Sequence, residues 1–339
     1  MRVLLAGGAG YVGTHTAIAL LEAGHEAVLL DDLTNTSGIV TDRIHQITGK
    51  RAPLVAGSAA HADDVERAFD EHGPFDAIMH FAAKKAVGES VQKPLLYYRN
   101  NLDTTYTLMK VGLERGITSF IFSSTGTVYS DPADLPFTEE ATRDLVHLSN
   151  PYSKSKLMNE VVLADVQRVN PELNVTLLRY FNPVGAHESG LVGEDPKGIP
   201  NNLMPFVARV AVGSLPEINV YGSDYDTPDG TGLRDYIHVV DLAEGHVAAL
   251  EKAQPGLVAY NLGTGRPVSV LELIASFEKA VGRELPKVMA ERRAGDLAAT
   301  YCDPSKAQRE LGWAATRTID DMTRDVWNWQ QRNPRGYDG

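Results

Sequence analysis

The chain has 339 residues, 43% of them hydrophobic and 22% charged, with a formal charge of -12 and a pI near 5.3. That length buries a large core and accommodates two lobes, while the negative charge argues against a general affinity for nucleic acid or anionic membrane. Cys302 is the only cysteine, which excludes an internal disulfide and a cysteine-based zinc site and leaves it the part of an ordinary, small, half-buried residue.

Short β-rich runs at 3–6, 27–30, 53–55, 77–81, 120–123 and 175–179 alternate with helical patterns at 14–22, 62–71, 95–115 and 152–168. This alternation predicts an α/β fold, a doubly wound parallel sheet with crossover helices. In the last helix Leu157, Val161 and Ala164 share a stripe with Met158 and Val162 beside it, an apolar face expected to pack. After Arg179-Tyr180-Phe181-Asn182 the composition turns to Pro, Gly and Asn through Pro205, which predicts a lobe boundary. A strand at 236–240, a helix at 241–252 and a strand at 258–262 again resemble sheet and crossover. The expected division is therefore interleaved: residues 1–182 and 236–262 form the first lobe, 183–235 and 263–339 a smaller α/β one. Trp313, Trp327 and Trp329 read as core or helix-packing residues. The amino terminus is too short for a secretory core and no apolar run is long enough to span a membrane, so a cytoplasmic protein is expected.

The glycine run Gly7-Gly8-Ala9-Gly10-Tyr11-Val12-Gly13 follows the first strand and opens the first helix. Glycines there allow a tight turn and a close backbone approach to a pyrophosphate, whose charge is met by N–H groups at the helix start. Asp31 lies eighteen residues beyond Gly13, at the end of the second strand, with Asp32 next and no arginine before Arg43. Acids there accept hydrogen bonds from an adenosine ribose and repel a 2'-phosphate, so the Rossmann-type lobe is expected to bind NAD rather than NADP.

Tyr152 and Lys156, four residues apart in Asn150-Pro151-Tyr152-Ser153-Lys154-Ser155-Lys156, share one helix face. Bringing a tyrosine from its ordinary value near 10 to neutrality takes about 4 kcal/mol of differential stabilisation. Lys156 is one source of it and a cationic nicotinamide ring a second. Ser123-Ser124-Thr125 ends the fifth strand, where a parallel sheet presents ligand-facing groups. Taken singly, Thr125 is a turn residue, Tyr152 a packing residue and Lys156 a solvated charge; together with the glycine loop they form an acid/base set. The ten histidines do not cluster; His80, His238 and His246 read as core or helix-edge residues, and no metal site is expected.

Over almost its whole length the chain resembles the extended short-chain dehydrogenase/reductase superfamily, and more closely the UDP-glucose 4-epimerases. Beside the glycine run and the Tyr/Lys pair, the resemblance rests on His80-Phe81-Ala82-Ala83, on Lys85-Ala86-Val87-Gly88-Glu89-Ser90, on the stretch from Arg179 to Ala186, on Gly198 to Pro205 and on Asp229 to His238. It implies that the Tyr152 phenolate removes the proton of the sugar 4-hydroxyl while hydride passes from C4 to a tightly held NAD. The 4-keto sugar then turns over, and return of the hydride to its other face gives the epimer. Thr125 is implied to hydrogen-bond the 4-oxygen, and Lys156 to hold the nicotinamide ribose. The diphosphate is gripped firmly and the hexose loosely.

The same resemblance assigns Gly7, Gly10, Tyr11, Val12, Gly13, Asp31, Asp32, Asn35, Ser58, Phe81, Ala82, Lys85, Asn100 and Phe181 to the cofactor, with Thr125, Tyr152 and Lys156 shared. It assigns Asn182, Asn202, Leu203, Tyr221, Arg234, Arg293, Asp296 and Thr300 to the sugar nucleotide, with Thr125 and Tyr152; the two arginines suit a diphosphate by charge and fork geometry. Three positions depart from the commonest pattern: Ser58 replaces an aspartate, Thr125 a serine, and Thr300 stands where some members carry a tyrosine beside the sugar 2-substituent. The extra room at Thr300 leads to the expectation that UDP-N-acetylglucosamine and UDP-N-acetylgalactosamine are accepted as well. Sugar-nucleotide dehydratases resemble one another in carrying an acid just after the Ser/Thr, where this chain has Gly126 and Thr127. A dehydrogenase would exchange its NAD freely, and a silent sensor would tend to lose the tyrosine or lysine. A homodimer, paired through helices 95–115 and 152–168, is expected by resemblance.

Overall fold

The computed structural model describes residues 1–198, 200–293 and 296–338. Seven strands, Arg2–Ala6, Glu26–Asp31, Leu54–Ala56, Ala77–His80, Ser119–Thr125, Asn174–Tyr180 and Gly256–Leu262, make one parallel sheet. Its spatial order runs from Gly256–Leu262 through Asn174–Tyr180, Ser119–Thr125, Ala77–His80, Arg2–Ala6 and Glu26–Asp31 to Leu54–Ala56. The central strands are buried along their whole length because helices cover both faces. Side chains alternate between two cores: Leu5, Leu29, Met79 and Ile121 meet the helices Tyr11–Glu22 and Val239–Glu251. Leu4, Leu30, Ile78 and Phe122 meet Ala62–His72, Pro94–Glu114 and Pro151–Val169 on the other side. Tyr152 enters the last of these helices in its first turn, which starts where Pro151 occupies the first helical positions and the Asn150 side chain accepts the Ser153 N–H at 2.9 Å.

A smaller sheet joins Asn182–Val184, Leu233–His238, Pro267–Ser269 and Ala299–Thr300, and a two-stranded ribbon pairs Ile218–Tyr221 with Lys287–Ala290. The helices Leu203–Ala211, Val270–Val281 and Ile319–Arg332 close a third core around Val207, Phe277 and Val326. Buried Asp235 knits this part together, its carboxylate accepting the N–H groups of Thr264 at 2.8 Å, Gly265 at 3.0 Å and Cys302 at 3.3 Å.

Three expectations change. Residues 236–238, read as a strand of the first lobe, belong to the strand Leu233–His238 in the smaller sheet, paired with Asn182–Val184; the helix Val239–Glu251 and the strand Gly256–Leu262 that follow return to the large one. The stripe on Pro151–Val169 packs only in part: Leu157 is buried against Val128 and Leu148, but Val161 is 56% exposed and Val162 38%, and the neighbouring Leu163 enters the core. Cys302 is fully buried rather than half-buried, its thiol 3.4 Å from Asp235 Oδ2. His80, His238 and His246 are buried as well. Trp313 and Trp329 lie inside, and Trp327 packs on the third core.

Candidate active site

The glycine turn sits where the first strand meets the first helix, beside the C-terminal ends of its neighbours. Gly7 has φ +77°, and a Cβ placed on it would come within 2.6 Å of the Ala82 nitrogen; on Gly13 it would come within 2.5 Å of the Gly7 carbonyl oxygen. Only glycine fits both positions. Gly10 precedes the helix Tyr11–Glu22, which has no side-chain cap, so the N–H groups of its first turn remain for a phosphate. Val12 packs against the core, while the Tyr11 hydroxyl donates to the Gly185 carbonyl at 2.7 Å across to the second lobe. Asp31 ends the second strand, accepting the N–H groups of Ala9 at 3.1 Å and Leu33 at 2.9 Å. Burial raises its pKa and those hydrogen bonds oppose the rise. Asp32 and Asn35 lie exposed in the following loop, and Ser58 Oγ accepts the Ala60 N–H at 3.2 Å. This cradle fits NAD: glycines that admit a close backbone approach, free helix N–H groups, and acids where a ribose hydroxyl is to be met.

Beyond the turn, the Phe81 ring lies 5.0 Å from His246. Lys85 Nζ is 3.2 Å from Glu194 Oε1, and Asn100 donates to Asn101 Oδ1 at 3.0 Å. Phe181 lies so close to Gly126 that a Cβ there would meet the ring at 2.8 Å. Glu194 also accepts from Asn202 Nδ2 at 3.5 Å, thereby joining a residue assigned to the cofactor with one assigned to the sugar nucleotide. Nothing in its sequence neighbourhood marks Glu194 for this part.

At the centre, Lys156 Nζ donates to the Ser123 carbonyl oxygen at 2.7 Å and stands 4.8 Å from the centroid of the Phe122 ring. Burial brings its pKa down to about 7, with Glu160 opposing. The phenol of Tyr152 is raised above its ordinary value, first by burial and then by Tyr180, while a hydrogen bond from Thr125 acts the other way. Glu160, one turn beyond Lys156, is held by Arg179 Nη2 at 2.7 Å in a buried pair and accepts from Ser124 Oγ. This pair had no sequence signal.

The residues expected to meet the sugar nucleotide lie on the smaller sheet, the two-stranded ribbon, the helix Leu203–Ala211 and the loop before Ala299. The Arg293 guanidinium lies 3.9 Å from the centroid of the Tyr221 ring. Arg234 donates to the Leu297 carbonyl at 3.0 Å and reaches Asp296 at 3.8 Å, and Thr300 stands in register beside it. Leu203 opens the helix Leu203–Ala211, and Asn182 begins the strand paired with Tyr236–His238. Thus Arg234 and Thr300 are paired in register, with Asp296 reaching Arg234 from the loop before, and Arg293 with Tyr221 forms a second element.

Residues 3–263 match the model of the NAD dependent epimerase/dehydratase family. The chain belongs to this family. Among the epimerases it resembles, the UDP-glucose 4-epimerase of Haemophilus influenzae is 50% identical over 339 residues, covering 99% of each chain. The crystal structure of UDP-glucose 4-epimerase from Bifidobacterium longum in complex with NAD+ and UDP is 52% identical, with a TM-score of 0.96 over 99% of this chain and 100% of that one. The UDP-Glc/GlcNAc 4-epimerase of Campylobacter jejuni is 34% identical, with a TM-score of 0.83 over 98% and 99%.

Proposed function

We infer that this protein interconverts UDP-glucose and UDP-galactose, inverting C4 through a 4-keto sugar while NAD stays bound. The observation that carries the reading is the placement of Tyr152 in the first turn of Pro151–Val169, the helix whose Lys156 Nζ donates at 2.7 Å to the Ser123 carbonyl of the strand ending in Thr125, at the sheet edge that also bears the glycine turn. The identity to known UDP-glucose 4-epimerases over the full length supports it. Bound NAD supplies the reversible two-electron oxidation of C4 and a positive charge near the phenol.

Tyr152 takes the proton of the sugar 4-hydroxyl and later returns it; Thr125 donates to the same oxygen as it becomes a carbonyl. Lys156, held by the Ser123 carbonyl one helical turn beyond Tyr152, would hold the nicotinamide ribose and stabilise the phenolate. Arg234 from the smaller sheet and Arg293 from the loop after the ribbon would grip the diphosphate, with Tyr221, Leu203, Asn202, Asn182 and Asp296 around them. The hexose, held less firmly, would turn between the two half-reactions, so that the hydride lost from one face of C4 can come back to the other from the same bound cofactor. In this reading residues 1–182 and 236–262 carry the cofactor and 183–235 and 263–339 the sugar nucleotide, although 236–238 hydrogen-bond into the second sheet.

The reading extends to the N-acetylated pair of UDP-hexoses, because Thr300 is small at the position facing the sugar 2-substituent. It includes a homodimer: Leu95, Tyr106 and Val161 are exposed on the helices Pro94–Glu114 and Pro151–Val169, an apolar band of the kind that a second copy covers. A cytoplasmic location fits a chain whose single cysteine is buried and forms no disulfide; among the described residues no helix is long and apolar enough to cross a membrane. Purified protein incubated with UDP-galactose, without added NAD, should form UDP-glucose; no conversion, or conversion only with added NAD, would overturn the reading.

A further inference from the structure

We propose that Thr127 and Ser153, which neither the fold nor the sugar-nucleotide site accounts for, are positioning residues whose hydroxyls leave Thr125 only a proton to offer the Tyr152 phenol. Ser153 lies one residue beyond Tyr152, is buried, and has its backbone fixed by the N–H bond to Asn150. Its hydroxyl donates to Thr127 Oγ1 at 2.8 Å. Thr127 Oγ1 in turn is 3.1 Å from Thr125 Oγ1, and the Thr127 N–H donates to that same oxygen at 3.2 Å.

A hydroxyl has one proton and two lone pairs. With the Ser153 proton on one Thr127 lone pair, the arrangement proposed turns the Thr127 proton to Thr125, whose two lone pairs are then taken by one N–H and one O–H. In that arrangement Thr125 does not accept from the Tyr152 hydroxyl and can only donate to the phenol oxygen. A donor favours the phenolate and an acceptor the phenol, so the direction of the chain decides whether Thr125 assists or hinders the ionisation that burial already makes costly. The same donor later serves the sugar oxygen as it becomes a carbonyl. The 3-10 turn Gly126–Val128 brings Thr127 over Thr125, and the start of the catalytic helix brings Ser153 to Thr127, so two elements far apart in the chain set one proton.

The inference rests on the epimerase reading, so turnover of UDP-galactose by the wild-type holoenzyme comes first and tests that reading by itself. T127V replaces the hydroxyl by a methyl at an exposed residue and lets Thr125 accept from the phenol. One neutral hydrogen bond lost corresponds to about a 3- to 10-fold fall in kcat at pH 7, with KM unchanged. The acid limb of the kcat profile should move to higher pH by about half a unit to one unit. T127S should restore both, and S153A should shift the limb in the same direction. Bound NAD per chain and UDP affinity should match the wild type in all three. A wild-type profile in T127V and S153A, a T127S protein that restores nothing, or a kcat loss that comes with loss of NAD would each overturn the proposal.

Discussion

Lys156 and the carbonyl of Ser123 meet at 2.7 Å, so the cation of the acid/base set is anchored to the strand that ends in Thr125 rather than to Tyr152. The i, i+4 spacing puts both side chains on one helix face, yet the sheet beneath decides what the ammonium touches. Its burial against Phe122 is costly to the fold and useful to the site, since a buried charge at this depth stays responsive to what binds above it.

The cost has a pH signature. The Lys156 pKa is about 7 in the folded protein and about 10.4 in an unfolded chain. Below pH 7 both states are protonated and the cost is complete; between these values the unfolded state binds more protons, so stability rises with pH. The rise is about 1.4 kcal/mol per pH unit for this one group. In NAD-free protein, Lys156→Met should therefore raise the melting temperature more at pH 6 than at pH 9. An equal gain at both would place the ammonium in solvent.

In the proposed mechanism Tyr152 exchanges the substrate proton, and Tyr152→Phe removes the oxygen that does so. Turnover should fall by about 10²- to 10⁴-fold, while bound NAD and UDP affinity are kept. Comparing single-turnover rates with UDP titrations by calorimetry checks this; a fall of less than fivefold would move the base elsewhere.

Arg293 stacks on Tyr221, and in the proposed reading that stacking orients the planar guanidinium toward a diphosphate. Arg293→Ala should weaken UDP binding by about 10- to 100-fold. Arg293→Lys should recover only part of it, because an ammonium neither stacks nor forks in the same way. Full recovery in the lysine variant would reduce the residue to a point charge.

Thr300 lies beside Arg234 on the smaller sheet. Thr300→Tyr should reduce turnover of UDP-N-acetylglucosamine by at least about tenfold, because overpacking a closed site costs about 1–3 kcal/mol, and should leave UDP-glucose little changed. Equal N-acetyl activity in the two proteins would take Thr300 away from the sugar.

Leu95 is 82% exposed and Val161 56%. If a second copy covers them, Leu95→Asp combined with Val161→Asp should halve the mass seen by sedimentation at micromolar concentration. An unchanged dimer would place the interface on another face, and a wild-type monomer would remove it.

Several features could be read along the chain because their causes are local. Alternation of Leu4 and Leu5 between two cores, the glycine turn at Gly7 to Gly13, the acid at Asp31 and the shared face of Tyr152 and Lys156 all follow from strand and helix periodicity and from backbone sterics. What the folded chain decided was every relation between distant segments: Lys85 with Glu194, 109 residues away, Arg293 over Tyr221, and Leu233–His238 in the smaller sheet. The exposed Val161 stripe belongs with them. Periodicity states that a stripe is apolar, but whether it is buried depends on what lies opposite, and so does the charge state of a phenol or an ammonium, because desolvation is set by the surrounding protein and not by the neighbours in sequence.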